Sequence, residues 1–214
     1  MVPDWGRAFA NAHEVLSFER AAGFAWEGSL QRVFLELPEV VTMMNVFYFV
    51  GHFVLTGVFF VWLYRRSRDH FLVFRDAFLV ATALALVVHW QFPTAPPRLA
   101  GVGLEDTLLD LSGIDIGSPD STALSNPVAA VPSLHAAYAV GVGIGLVLLG
   151  RGLGTRIAGL LYPPLVVLTI VVTGNHFIVD ALAGMAVLAI GFAVALGLRA
   201  RSRDDGRTGE LRTT

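Results

Sequence analysis

The chain has 214 residues, 55% of them hydrophobic and only 15% charged, with a net charge of −2 and a mean hydropathy of +0.65. Such a composition excludes a soluble domain with a solvated shell and defines a polytopic, all-α membrane protein, while the small net charge gives nucleic acid no handle as a partner. There is no cysteine and every basic residue is arginine or histidine, so disulfides, thiolate chemistry, cysteine metal sites and lysine-dependent mechanisms are excluded.

Residues 1–39 form a first unit. Asp4, Glu14, Glu19 and Glu27 interrupt it and no apolar core with a small-residue cleavage site follows, so it does not read as a cleavable signal. Val15, Phe18, Ala22, Trp26, Leu30, Val33, Phe34 and Leu37 recur at three- and four-residue steps, with Glu19, Arg20, Glu27, Gln31 and Glu36 mostly elsewhere. That pattern predicts an amphipathic helix lying on the membrane interface or packed across the bundle, covering the core without chemistry of its own.

Residues 40–198 hold five stretches apolar enough to span, near 40–64, 71–92, 133–150, 157–174 and 177–198, given that roughly 20 residues cross the hydrocarbon. Pro163-Pro164 is predicted to bend the fourth near its start. Gly141, Gly143, Gly145 and Gly184 allow close helix approach. Residues 199–214 read as a polar, disordered tail, and no linker divides the rest.

Arginines set the orientation. Arg65, Arg66 and Arg68 fall between the first two spans, Arg151 and Arg156 between the third and fourth, and Arg199, Arg201, Arg203 and Arg207 after the fifth. All lie on one side, which the positive-inside rule makes cytoplasmic. The 93–131 loop and the 174–177 turn fall on the opposite face of a cell-membrane protein, and Arg98 is their only basic residue.

That extracytoplasmic face collects the chemistry. In Thr173-Gly174-Asn175-His176-Phe177-Ile178-Val179-Asp180, a histidine and an aspartate stand four apart, a spacing that stacks both on one helix face. Asp180 can accept the Nδ1–H of His176, leaving Nε2 bare as a nucleophile. Pro132-Ser133-Leu134-His135 opens another apolar helix, whose first-turn amides and dipole make an anion site beside His135, a candidate general acid. Arg98 ends the proline-stiffened Pro93-Thr94-Ala95-Pro96-Pro97 and offers a bidentate phosphate ligand. Asn45, Tyr48 and His52 form one stripe along the first span, open to head-group contact or to interhelical hydrogen bonding. His89 reads as structural, and Asp106, Asp110, Asp115 and Asp120 as dispersed, solvated loop acids.

These three segments, in this order, resemble the type 2 phosphatidic acid phosphatase (PAP2) superfamily of membrane lipid-phosphate enzymes. Pro93 to Arg98, Asn126 to His135 and Thr173 to Asp180 look like its inositol-phosphorylceramide-synthase branch. The resemblance covers roughly residues 40–198. It implies that His176 forms a phosphohistidine, Asp180 orients it, His135 protonates the leaving group and Arg98 holds the phosphate, with no metal or other cofactor.

The chain departs from the general pattern. Gln91 stands where a lysine is usual, Leu99 replaces a proline, Leu134 a glycine, and Thr169-Ile170 a Ser-Arg pair. Two of three phosphate-binding cations are therefore replaced, which suits a less charged substrate or neutral donors, for which Gln91, Ser133 and Asn175 are the candidates; Asn126, Tyr48 and His52 are candidate head-group contacts. The expected partners are the bilayer and a lipid phosphate or phospholipid, and the acceptor is either water or a hydroxyl such as that of a lipid or polyol. Two other classes use the same residues: a metal-binding membrane protein with His135, His176 and Asp180 as ligands, and a non-enzymatic lipid carrier on the same scaffold.

Overall fold

Asp4 starts the first helix by accepting the Arg7 amide at 3.1 Å, and Gly23, at φ 80°, ends it, giving α1 (Trp5–Ala22). The computed structural model describes residues 4–117 and 126–211, with 202–211 as backbone alone. α2 (Glu27–Leu35) and α3 (Pro38–Val46) follow, with Pro38 in the first turn where its missing N–H costs nothing. A π-helical turn, Phe47–Gly51, joins α3 to α4 (His52–Arg66) without a break. Then come α5 (Arg68–Gln91), the short α6 (Thr107–Ser112), α7 (Leu134–Leu149), α8 (Leu153–Val172) and α9 (Ile178–Leu211). The all-α reading holds.

Among the described residues four helices are long and apolar enough to cross a bilayer: Pro38–Arg66, Arg68–Gln91, Leu153–Val172 and Ile178–Arg201. The fifth expected span, α7, has 16 residues, about 24 Å at 1.5 Å per residue against a hydrocarbon core of roughly 30 Å. Between 22% and 39% of each long span's apolar window is buried inside the protein. The remainder, including Val58, Leu86, Leu160 and Leu196, points outward, which only lipid makes favourable. Pro163 and Pro164 sit in the middle of α8 rather than near its start, because the helix begins at Leu153.

α5 packs along α9, and α7 is wedged between α8 and α9. Phe59, Leu63, Phe74, Phe78, Val142 and Leu188 fill the centre. Small residues let these helices touch backbone to backbone: a Cβ on Gly143 would stand 2.6 Å from the Gly159 carbonyl, and one on Gly184 only 2.1 Å from that of Ser133. The second contact sets how closely the start of α7 lies against α9.

The N-terminal unit differs from expectation in two ways. Gly23 breaks the single amphipathic helix into α1 and α2. Its burial is also mixed, since Glu19, Glu27 and Gln31 are buried alongside Val15 and Leu16 while Phe18 (60% exposed), Trp26 and Val33 face outward. In a protein surrounded by lipid, an apolar face need not be the inner one, and here the polar face is consumed by backbone groups. Glu19 Oε1 accepts Val179 N at 2.7 Å, Glu27 Oε1 accepts Ile178 N at 3.0 Å, and Gln31 bridges Val172 O and the Glu105 backbone.

Two loops cross the mouth of the bundle and are fastened together. Thr94 N donates to Val128 O at 2.8 Å and Ala130 N to Thr94 O at 3.1 Å. α1 ties the first loop down through Asn11 Nδ2 on Pro93 O (2.7 Å), Ala95 N on Ala8 O (3.1 Å) and the Arg7 guanidinium on Gln91 O. Asn45 goes to structure, bonding Thr107 and Ser112 of α6.

Candidate active site

The turn between α8 and α9 carries the first histidine. Gly174 adopts φ +68°, where a side chain would be strained and would also meet Arg98 Cβ at 3.0 Å. The amides of Asn175 and His176 then both reach Ile170 O, at 3.0 and 3.1 Å. His176 therefore lies ahead of α9, not on it as the four-residue spacing suggested. Asp180, in the first turn, folds back so that Oδ2 accepts Phe177 N at 2.9 Å, the reach-back half of a capping box. The same oxygen lies 3.2 Å from His176 Nδ1, and Ala130 O lies 3.0 Å from that nitrogen. Both acceptors fix Nδ1 as the protonated position and leave Nε2 as the basic one.

His135 occupies the first turn of α7. Its ring stacks on Tyr48 with centroids 4.3 Å apart and lies 5.1 Å from His52, 5.1 Å from Phe53 and 5.8 Å from His176. Ser133 N donates to Asp180 O at 2.9 Å, so the mouths of α7 and α9 are bonded directly. Arg98 is held on three sides: its amide on Gly174 O at 2.9 Å, Nε on Asn175 Oδ1 at 3.1 Å, and Nη1 on Asp106 Oδ2 at 2.5 Å. Its second terminal nitrogen makes no hydrogen bond among the described residues, and Arg98 lines the cavity.

That cavity has a volume of about 520 Å³ and is bounded by Arg98, Asn175, His176, His135, His89, Tyr48, Phe49, Phe53, Tyr138 and Asn126, with Pro96, Ile116, Pro127, Ala129, Ala130 and Leu134. One wall is polar and cationic; the other is aromatic and reaches the lipid-facing surface at Phe49 and Phe53, about half exposed. A group with a charged head and an apolar body fits such a division.

Most candidates converge here; Asp180 stands behind His176, and three others lie apart from the cavity. Ser133 is buried and its Oγ caps α7 by accepting Ala136 N at 3.3 Å, so it is a helix cap and not a cavity donor. Gln91 is exposed at the end of α5, outside the lining, with its carbonyl taken by Arg7. His52 lies behind His135, fully buried, with Nδ1 2.9 Å from the Tyr162 hydroxyl, so it backs the site without lining it. His89, read as structural, does bond Pro132 O at 3.1 Å, but it also lines the cavity.

Sequence reasoning missed Asp106, the partner of Arg98, because it looks like any other loop acid. Its one signal was an N-cap position before Thr107-Leu108-Leu109. Asp120, grouped with it, lies outside the described residues. Among the described residues no group of three or more His, Cys, Asp or Glu side chains is placed to hold a metal ion.

A helical membrane bundle that brings two histidines and an arginine to one cavity, with a carboxylate bonded to one of the histidines, defines the class to which the comparisons point. The family model of the PAP2 superfamily matches residues 13–194, and the chain belongs to that superfamily, as an enzyme of the phosphatase type. Among solved structures it is similar to the crystal structure of Aquifex aeolicus LpxE, at 18% identity and a TM-score of 0.50, over 76% of this chain and 94% of that one. That likeness concerns the fold. No curated protein matches the sequence significantly.

Proposed function

We propose that the protein is a multi-pass membrane lipid phosphatase that cleaves a phosphate ester through a phosphohistidine on His176. The observation that carries this reading is Asp180 Oδ2 at 3.2 Å from His176 Nδ1, with His176 lining the same cavity as Arg98 and His135. Nε2 attacks phosphorus while the bond to the lipid oxygen breaks, and that oxygen takes a proton from His135. The phosphate anion supplies the counter-charge that a protonated His135 needs among Tyr48, His52 and Phe53. Water, deprotonated by His135, then attacks phosphorus, the P–N bond breaks, and inorganic phosphate and free His176 are restored.

Arg98 and Asn175 steady the phosphate, helped by the first-turn amides of α7. Asp106 holds the guanidinium in place from behind. The Phe49–Phe53 wall takes the apolar body of a substrate entering from the bilayer. By the arginine distribution the cavity opens on the extracytoplasmic side of the cell membrane and the C-terminus is cytoplasmic.

A second reading is a head-group transferase, of the inositol-phosphorylceramide-synthase kind, in which a lipid or polyol hydroxyl replaces water. Favouring it, Arg98 is, among the described residues, the single guanidinium lining the cavity and is already paired with Asp106, an arrangement suited to a phosphodiester of low charge.

Product analysis by mass spectrometry separates the readings. Wild type and His176→Ala are incubated with a panel of lipid phosphates and phosphoinositides, with and without a hydroxyl acceptor. Free phosphate from wild type alone supports the phosphatase, and a new phosphodiester from wild type alone supports the transferase. Equal products from both proteins would refute the role of His176.

A further inference from the structure

Glu19 and Glu27 come from the N-terminal helices, 160 and 151 residues away in sequence from the amides they bind, and both are buried. Together with Asp180 they place three carboxylates on three successive amides of one helix start: Phe177 N on Asp180, Ile178 N on Glu27 and Val179 N on Glu19. Capping one of these orphan amides with a carboxylate is ordinary; three carboxylates there is more negative charge than a helix dipole, equivalent to roughly half a charge, can balance. A helix merely needing a cap would be served by Asp180 alone. The two glutamates instead attach α1 and α2 to the one turn that also presents Asp180 to His176.

We infer that Glu19 and Glu27 are positioning residues for the His176–Asp180 pair, clamping the first turn of α9 so that Asp180 stays within reach of the His176 ring. The inference rests on the phosphohistidine reading of the site.

The groups facing Glu19 are Glu27 from α2 and Asp180 from α9, with His176 behind Asp180, and no arginine or lysine is among them. Three adjacent buried carboxyls cannot all ionise without cost. The Glu19 carboxyl Oε2 is buried and has no hydrogen-bond partner among the described residues, while the Glu27 carboxyl is its nearest charged neighbour. Burial first, and then the neighbouring Glu27 carboxyl, pushes the Glu19 carboxyl up to about 8. At neutral pH Glu19 thus keeps its proton. Losing it adds a negative charge that repels both Glu27 and Asp180 and loosens the clamp.

The test uses the full chain in detergent or nanodiscs and compares kcat, KM and the pH profile of wild type, Glu19→Ala and Glu19→Gln on one lipid phosphate. Glutamine keeps an oxygen for Val179 N and a donor for Glu27 but cannot ionise. The expected result is a kcat reduced tenfold or more in Glu19→Ala with KM within twofold, and rescue by Glu19→Gln. The wild-type kcat should fall above pH 8, whereas Glu19→Gln should remain level to pH 9. If Glu19→Ala does not fold, the Glu19→Gln profile decides alone. An alkaline fall in Glu19→Gln matching that of wild type, or a kcat within twofold of wild type in a folded Glu19→Ala, would overturn the inference. His176→Ala, run in parallel, keeps the two claims separate: if it is inactive while the Glu19 variants behave like wild type, only the clamp fails, and if it is active the site itself has been misassigned.

Discussion

Asp180 Oδ2 touches two groups at once, the Phe177 amide at 2.9 Å and His176 Nδ1 at 3.2 Å. One carboxylate thus caps α9 and holds the His176 ring, so the geometry of the site is locked to the start of a helix. Because Ala130 O also accepts from Nδ1, at 3.0 Å, the tautomer survives loss of the charge. Asp180→Asn should therefore keep the correct tautomer and lose only stabilisation of the charged ring. We expect kcat to fall roughly 100- to 1,000-fold, equivalent to about 3–4 kcal/mol, with circular dichroism unchanged. Activity within tenfold of wild type would remove Asp180 from the mechanism.

Arg98 addresses Asn175 through Nε and Asp106 through Nη1, a forked arrangement that an ammonium cannot copy. Arg98→Lys should lose on the order of 100-fold in kcat/KM although the charge is kept. Asp106→Asn should cost less, roughly 10-fold and mainly in KM, because it frees the guanidinium without removing it. Steady-state kinetics on both variants test the order; a Lys variant better than the Asn variant would contradict it.

In kcat/KM, His135→Gln should be crippled on alkyl phosphates, whose leaving oxygen needs a proton, and far less so on an aryl phosphate whose oxygen leaves as a stable anion. That ratio reports the steps up to departure of the leaving oxygen and not the later attack of water. The gap should approach 100-fold or more, in the range that a general acid contributes. Equal losses on both substrates would mean that His135 binds phosphate and donates no proton.

Much of this was legible in the sequence. Histidine, aspartate and arginine at the ends of apolar runs are costly and therefore conspicuous; His176, His135, Arg98 and Asn175 all converge on one cavity, with Asp180 bonded to His176 behind it. What failed was the assignment of individual polar side chains. Ser133 was claimed by its own helix as a cap, and Gln91 turned outward at the end of α5. The N-terminal helices were read as amphipathic without a choice of inner face, and they bury Glu19, Glu27 and Gln31 beside Val15. Periodicity gives the faces of a helix but not which solvent each one meets, and lipid accepts Phe18 and Trp26 where water would not.

Gly184 faces Ser133 O so closely that a Cβ would stand 2.1 Å away. Gly184→Ala should push α9 off the start of α7 and separate His135 from His176, lowering thermal stability by roughly 1–3 kcal/mol and activity with it. Gly197, with nothing within 4 Å of its Cβ position, is the control, and its alanine variant should match wild type. Equal melting temperatures for the two variants in the same detergent would show that the α7–α9 contact is looser than described.

Glu19 also makes stability depend on pH. Its carboxyl is raised from 4.5 to about 8 in the folded protein by burial and by Glu27. The folded state holds a proton that the unfolded chain releases above about 4.5, so this contribution is full below that pH and is lost as pH rises toward 8. The melting temperature of wild type relative to Glu19→Gln should accordingly fall between pH 5 and pH 8.5. A constant difference across that range would place Glu19 in its ordinary ionised state.

The central claim is a covalent bond between phosphorus and His176, and trapping it is the most direct test. Wild type and His176→Ala are mixed with a radiolabelled lipid phosphate, quenched in alkali within one turnover, digested and mapped. The account predicts an acid-labile, alkali-stable label on the peptide containing His176 in wild type, and neither label nor turnover in His176→Ala. Turnover that persists in His176→Ala, or a label carried by another residue, would contradict it.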